Sequence, residues 1–373
     1  MKIGILTYHR AHNYGATLQA YALLQYLRSE GFEVEIIDYW PPYRKGGYDL
    51  FSFANIGGKY RLLKIIKRFI KLTVVYIPKY CRYRKFKRFH EQKYPIIYGK
   101  QILRGKDIPD TYDVYIFGSD QIWRYNTFVG HKGYDEVYWG AFPKKSENTH
   151  LKKITYAASM GKLDQIDGAF LSTHLENFDT LSVREDALRS LLQTYTKKTI
   201  AHVLDPIFLL SIDQWRVLLS KNPMEGKRYV LLYNLNRSHE AEAIAKRLAE
   251  RYGMHIIHLY GAVWPPTLKT SVKYSAGPRE FINYFMHADF VISTSFHGVV
   301  FAIHFRKQFV SLGMKQNSQR VQDILKRYGL ESRYLSDISD IESLPPIDYS
   351  EIDAKLTRDV ELSKDYLLRA IKG

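Results

Sequence analysis

Lys2–Tyr39 reads KIGILTYHRAHNYGATLQAYALLQYLRSEGFEVEIIDY, and its pattern sets the fold. Lys2–Tyr8 (KIGILTY) is a mostly apolar run of strand length. Thr17–Arg28 (TLQAYALLQYLR) is rich in strong helix formers, and Gly31 falls where a left-handed C-terminal cap belongs. Phe32–Tyr39 (FEVEIIDY) returns to near alternation. Strand, helix and strand in this order make a βαβ unit, whose strands lie parallel. The rhythm continues with strands expected at Asp113–Phe117, Ile154–Ala158 and Thr180–Val183 and a helix at Glu185–Leu192. It repeats in the second half. Strands are expected at Tyr229–Asn234, His255–Tyr260, Phe290–Ser293 and Gln308–Leu312, with helices at Glu240–Arg251, Arg279–His287 and Val299–His304. The chain therefore reads as α/β, with two Rossmann-like parallel-sheet domains at residues 1–205 and 206–350. The hinge is expected within residues 200–225, after the Asp205–Pro206 turn. A last helix, about Ile352–Ile371, is expected to pack back on the first domain.

A length of 373 residues fits two domains, and 46% hydrophobic with 25% charged residues fits a folded chain rather than a wholly disordered one. The lone Cys81 excludes an intrachain disulfide and a multi-cysteine zinc site. The start, MKIGILTYHR, runs straight into a strand pattern, so no secretion is expected. The apolar stretch Phe69–Ile77 (FIKLTVVYI) falls well short of the roughly 20 residues that a membrane span needs. The protein is therefore expected to be cytoplasmic.

The net charge is +17, and it is concentrated. Lys59 to Lys93 holds thirteen Lys and Arg against one acid, Glu91, so twelve of the seventeen net charges sit there. Within it Leu62, Ile65, Ile66, Phe69, Leu72 and Val75 recur at helical spacing, followed by the basic aromatic stretch YCRYRKFKRF. This insertion, residues 59–93, reads as a basic amphipathic helix suited to an anionic membrane surface at the inner face of the cell membrane. A helix that packs its apolar stripe on its own domain and solvates its lysines is the competing reading. Nucleic acid is not expected, since no recognised binding motif accompanies the charge.

In parallel α/β sheets ligands bind outside the carboxyl ends of the strands, so four loops hold the candidate chemistry. His9–Thr17 (HRAHNYGAT) places Asn13 and Gly15 at a helix N-terminus, where anions are favoured; an ordinary turn would look the same. There is no GxGxxG, so Asp38 does not read as a ribose ligand. Gly118–Trp123 (GSDQIW) offers Ser119, Asp120 and Gln121, with Asp120 either a base, a hydroxyl ligand or a helix cap. Ser182–Asp186 (SVRED) offers Arg184, either a two-point anion ligand or the partner of a nearby acid. Ser293–Gly298 (STSFHG) places His297 at a sheet edge near a helix start, with Ser295 or Thr294 as cap and Gly298 allowing close backbone approach. Such a histidine can serve as general acid or base, or be a satisfied core residue.

Asn13–Leu23 (NYGATLQAYAL), GSDQIW, SVRED, Gly277–Phe281 (GPREF) and Ala288–Gly298 (ADFVISTSFHG), in that order, resemble the polysaccharide pyruvyl transferases over roughly residues 1–330. The resemblance implies a glycosyltransferase-B-like fold with the site in the cleft between the domains. It implies transfer of pyruvate from phosphoenolpyruvate to two sugar hydroxyls as a ketal. His297 matches the family's histidine before glycine, and Arg184 its arginine in the first half. Several members have arginine two residues before the histidine, where this chain has Ser295; Lys315 or Arg320 are the cations placed to compensate.

On that reading the donor's phosphate and carboxylate meet Arg184, Ser295, Gly298, Lys315 and Arg320. His297 and Asp120 are the catalytic candidates, and Asn13, Gly15, Ser119 and Gln121 face the acceptor. The acceptor is expected to be a sugar in a lipid-linked oligosaccharide. The scheme calls for no metal and no cofactor beyond phosphoenolpyruvate as co-substrate. Two other functions fit the same architecture: a nucleotide-sugar glycosyltransferase, and a catalytically silent membrane-associated scaffold.

Overall fold

The computed structural model describes residues 1–44, 61–93, 101–128, 130–142, 151–222, 224–235, 238–261, 272–312, 318–335, 341 and 343–373. Within 61–76 only the side chains at 62 and 65 are described, and that of Ser318 is not. The first sheet holds β1 (Lys2–Leu6), β2 (Glu33–Ile36), β3 (Val114–Phe117) and β6 (Lys152–Thr155), all parallel, in the order β2-β1-β3-β6. A short antiparallel hairpin, β4 (Asn126–Phe128) and β5 (His131–Gly133), lies between its last two strands in sequence. The parallel pair β7 (Leu181–Val183) and β8 (Ile200–His202) extends the β6 edge. There Thr155 N–H donates to Thr180 O at 3.0 Å and Ala158 N–H to Ser182 O at 3.2 Å.

The second sheet holds β9 (Tyr229–Asn234), β10 (His255–Tyr260), β11 (Phe290–Ser293), β12 (Gln308–Leu312) and β13 (Tyr334–Leu335), all parallel, in the order β10-β9-β11-β12-β13. In both sheets the first strand in sequence lies inside, with the second on one side and the third on the other. Successive crossovers therefore run to opposite faces, which leaves a crevice at the carboxyl ends of β1/β3 and of β9/β11. Two Rossmann-like α/β lobes of glycosyltransferase-B-like arrangement result.

The helices are α1 (Tyr14–Ser29), α2 (Arg61–Lys93), α3 (Gly168–Leu175), α4 (Asp186–Leu192), α5 (Ile212–Arg216), α6 (His239–Tyr252), α7 (Pro278–His287), α8 (Phe296–His304), α9 (Ser318–Arg327) and α10 (Tyr349–Lys372). Every residue from Tyr14 to Leu24 is buried, so α1 is apolar on all sides and lies between the lobes rather than on a surface. Tyr14 stacks on Phe281 of α7 with centroids 4.5 Å apart, and its hydroxyl donates to Ala276 O at 2.7 Å. One apolar cluster thus runs through both lobes.

The second-half strands expected at 229–234, 255–260, 290–293 and 308–312 are formed as read. The first half is shorter than its apolar runs. Beyond Leu6 the Thr7 hydroxyl donates to Ser119 O instead of continuing the ladder, and Ala157, at φ 52°, interrupts the Ile154–Ala158 run. Helix α8 begins at Phe296, not Val299, so His297 and Gly298 lie in its first turn rather than in a loop.

The basic insertion forms one continuous helix, α2, with Pro78 inside it, and the basic aromatic stretch belongs to the same helix. Its second half packs inward. Arg82, Phe86, Phe89 and His90 are buried at helical spacing. Arg82 donates to Tyr260 O and Gly261 O, both at 2.8 Å, and to His12 O at 3.2 Å, which ties the two lobes together. The apolar stripe Leu62–Val75 itself lies mostly outside the described side chains. Among the described residues no helix is long and apolar enough to cross a membrane.

Helix α10 returns to the first lobe. Tyr366 OH donates to Thr155 O at 3.1 Å, and Ser363 Oγ accepts from Leu204 N–H at 2.9 Å. Its first turn stays with the second lobe, where Tyr349 OH donates to Lys307 O at 2.6 Å.

Candidate functional site

The crevices of the two sheets meet around Arg184, which follows β7 and is buried at 1% side-chain exposure. A guanidinium removed from water needs paired charge. Three carboxylates supply it: Asp205 Oδ2 lies 2.7 Å from Nη1, Glu185 Oε1 3.1 Å from Nε and Asp120 Oδ1 3.6 Å from Nη2. Ser119 Oγ also accepts from Nη1 at 3.1 Å and donates to Ala157 O at 2.9 Å. Asp120 reaches the site from the end of β3 on a left-handed backbone (φ 72°), and no described helix follows for it to cap. Its Oδ1 instead accepts from Gln121 N–H at 2.8 Å. Asp205 is held at the hinge, where Oδ1 accepts from Ile207 N–H at 3.1 Å.

The second lobe contributes the first turn of α8 and the first turn of α9. His297 Nε2 lies 3.7 Å from Asp205 Oδ2, too long for a direct hydrogen bond, and has no hydrogen-bond partner among the described residues. Arg184 and His297 therefore flank one carboxylate. Phe296 is bordered by two guanidiniums, with Arg184 4.7 Å and Arg320 5.5 Å from its ring centroid. Arg320, from α9, donates to the Gln121 amide oxygen from both terminal nitrogens, at 2.7 and 2.6 Å, and so links the lobes. Glu185 completes the set. Its Oε1 also accepts from Ser159 Oγ at 2.7 Å, while its buried Oε2 has no partner.

Burial sets the protonation states, and the neighbours correct it. His297 is driven down to about 4 by desolvation, with Arg184 and Arg320 adding and Asp205 and Asp120 opposing, so it is neutral at pH 7. Burial alone would raise Asp120, but His297, Arg184, the Gln121 N–H and Arg320 leave it below the usual carboxylate range. Glu185 goes the other way, because burial outweighs Arg184, Arg320 and Ser159 and raises it. Arg320 is lowered to about 10 by burial and by Arg184, which still leaves it charged. Two arginines face three carboxylates here, and Arg184 is the partner of nearby acids, as one of its two readings had it. The site is an arginine–carboxylate network with a neutral imidazole at its edge.

The sequence candidates separate accordingly. Arg184, Asp120, Ser119, Gln121, His297 and Arg320 are brought together. Asn13 caps α1 through its side-chain oxygen, which accepts from Ala16 N–H at 3.2 Å. Gly15 serves His297: a Cβ there would lie 2.2 Å from its Nδ1. Gly298 lets α8 pack on its own sheet, since a Cβ would lie 2.0 Å from Ser293 Oγ. Ser295 is buried at the N-cap of α8 but makes no capping bond. Thr294 does not cap the helix either and instead accepts from Leu235 N–H at 3.2 Å. Lys315 lies outside the described residues. Asp205, Glu185 and Phe296 were missed as site residues. Asp205 read only as a turn before proline and Glu185 only as a neighbour of Arg184, and nothing in their local sequence marks them as converging.

A cavity of about 480 Å³ opens beside the network, lined by Glu185, Arg320, Met160, Lys162 and Leu188 among others.

The 2.2 Å crystal structure of a putative UDP-N-acetylglucosamine 2-epimerase from Listeria monocytogenes aligns with a TM-score of 0.47 at 12% identity, over 100% of this chain and 95% of that one. The UDP-GlcNAc 2-epimerase of Neisseria meningitidis, bound to UDP-GlcNAc, aligns with a TM-score of 0.47 at 12% identity over 100% of both chains. Likeness at that level says nothing of this chain's chemistry. No curated protein matches the chain. The family model for polysaccharide pyruvyl transferase matches residues 13–316, a span that holds Arg184, Asp205 and His297, and the chain belongs to that family.

Proposed function

We propose that the protein transfers the pyruvyl group of phosphoenolpyruvate to two hydroxyls of one sugar, forming a cyclic ketal on a lipid-linked oligosaccharide. What supports this reading most is the convergence of Arg184, Arg320, Glu185 and His297 at the facing carboxyl ends of two parallel sheets. The donor carries a phosphate and a carboxylate. Arg320 is the cation best placed for it, since it lines the open cavity and stands in for the arginine that the family resemblance leads one to expect at Ser295. Arg184 is already engaged by three carboxylates and acts as the organiser of the network.

The chemistry divides between groups whose environments pull their proton affinities apart. Glu185, held toward its protonated form and open to the cavity, delivers a proton to the methylene carbon of the donor. Carbon 2 becomes electrophilic. His297, neutral and with Nε2 unengaged, takes the proton of the attacking hydroxyl. The bond from carbon 2 to the phosphate oxygen breaks, phosphate leaves, and a second hydroxyl closes the ring as its proton departs. One proton gained at carbon and two lost from hydroxyls balance the step, the surplus proton leaving with phosphate. Asp120, ionised and within the same network, orients the acceptor.

The first half of α2 supplies the membrane side of the proposal. Lys64, Lys67, Arg68 and Lys71 would hold the protein on an anionic bilayer, near an acceptor carried by lipid.

Mass spectrometry of acceptor sugars incubated with phosphoenolpyruvate tests the reaction. The expected product has gained one pyruvate and lost one water, with phosphate released in equal amount. Turnover of a nucleotide sugar, with phosphoenolpyruvate left intact, would replace the reading with glycosyl transfer.

A further inference from the structure

A second open cavity, of about 600 Å³, lies on the other side of Gln121 from the network. It shares Met160, Gly161, Lys162 and Asp164 with the cavity that holds Glu185 and Arg320, so the two are neighbours across one short segment. Gln121 sits between them, facing this cavity while its amide oxygen accepts from Arg320. Gly161, at φ 79°, lets that segment pass, because a Cβ there would lie 2.6 Å from the end of the Gln121 side-chain amide. Gln121, one of the four residues expected to face the acceptor, lines this cavity.

The lining is unlike that of the neighbouring cavity. Arg124, Lys132 and Lys162 face Asp164 as the one carboxylate, and Tyr125, Thr127 and Gln165 add hydroxyl and amide groups. Asp164 is 3.8 Å from Lys162. Among the described residues neither the Arg124 nor the Lys132 side chain has a hydrogen bond or an ion pair, and the Arg124 guanidinium lies 5.8 Å from the Phe128 ring centroid. A guanidinium held over a ring, with an ammonium beside it and hydroxyls around, matches a sugar ring bearing an anionic group.

We infer that this second cavity binds the acceptor carbohydrate through an acidic substituent, a phosphate or a carboxylate on the sugar, gripped by Arg124 and Lys132. The inference rests on the proposed transfer only in calling the ligand an acceptor. The cavity's preference for acidic sugars stands or falls on binding alone.

The test uses the full chain and calorimetric titration with three probes: glucose, glucose 6-phosphate and glucuronic acid. At low salt at least one acidic probe is expected to bind about 10-fold or more tighter than glucose, from charge-assisted hydrogen bonds, and to weaken as salt rises. Glucose 6-phosphate alone would identify the group as phosphate, and glucuronic acid alone as carboxylate. In Arg124→Gln/Lys132→Gln the advantage is expected to disappear, while thermal stability changes little because neither side chain has a hydrogen bond or ion pair among the described residues to lose. Saturating phosphoenolpyruvate is expected to leave the binding in place. Equal binding of glucose overturns the inference, as does unchanged binding by the double variant, or full displacement by phosphoenolpyruvate. Charge-dependent binding in a protein that makes no ketal would sink the proposed reaction and leave this site standing.

Discussion

Gly15→Ala is the most informative single change, because it adds one methyl and touches one functional ring. The added carbon would lie 2.2 Å from His297 Nδ1, 2.3 Å from Cγ and 2.8 Å from Cβ. Ordinary contact begins near 3.4 Å, so the ring or the start of α1 must move by about 1 Å. Helix α1 has little freedom to yield, since it is buried on all sides and Tyr14 is stacked on Phe281 beside the substitution. The ring is the softer partner. Helix propensity alone would favour alanine by about 1 kcal/mol. Overpacking of this kind costs about 1–3 kcal/mol, so the net loss of stability is small, roughly 0–2 kcal/mol. Activity should suffer far more, because a displacement of about 1 Å at a reacting group can cost on the order of 100-fold. Pyruvyl transfer at saturating substrates measures that loss. The His297 ring proton shift in NMR spectra, compared between the two proteins, shows whether the imidazole has moved. Wild-type kcat with a displaced ring would refute the catalytic role of His297, and an undisplaced ring would refute the packing argument.

Four further outcomes follow from the same network. Asp205→Ala leaves the buried Arg184 guanidinium without its shortest partner, and chemical denaturation should show a loss of about 3–5 kcal/mol, against a much smaller loss for a surface pair such as Arg216–Asp213. Glu185→Gln keeps the bonds accepted from Ser159 and Arg184 but removes the proton donor; kcat should fall on the order of 100-fold with KM nearly unchanged, and an unaltered kcat would remove Glu185 from the mechanism. Stability should fall as pH drops from about 6.5 toward 4, because His12, His202 and His297 each titrate near 4 when folded and near 6.5 when unfolded, so the unfolded chain binds more protons across that window. A flat denaturation midpoint between pH 7 and pH 5 would contradict it. Neutralising Lys64, Lys67, Arg68 and Lys71 together should release the protein from anionic vesicles, and undiminished sedimentation with them would end the membrane role.

The framework was legible because α/β periodicity is local. The strands at 229–234, 255–260, 290–293 and 308–312 were set by short apolar runs between polar turns, and the structure ends them at the same residues. The departures arose where a side chain or backbone twist competes with the ladder, as at Thr7 and Ala157. The site was half legible. Residues just past strands, such as Asp120, Arg184 and His297, carry a positional signal, since in parallel sheets that is where ligands meet the chain. Asp205 and Glu185 carry none. Their role comes from facing the same guanidinium across sequence gaps, and a gap of that kind leaves no local mark.

That difference also bears on the charge of the site. Sequence reading counts cations near strand ends, but a buried arginine cannot stay buried without acids, and those acids arrive from elsewhere in the chain. Arg184 is the instance: its own loop offers Glu185, β3 delivers Asp120 and the hinge delivers Asp205. The consequence for function is that the cation best able to meet a bound anion is the one less heavily compensated. Arg320 fits that description. Its proton affinity is depressed while that of Arg184 is raised, it lines an open cavity, and its clearest contact is a neutral amide that a ligand can replace. A bound anion would therefore compete with the Gln121 amide for Arg320, so the side chain that links the lobes is also the one placed to meet the donor.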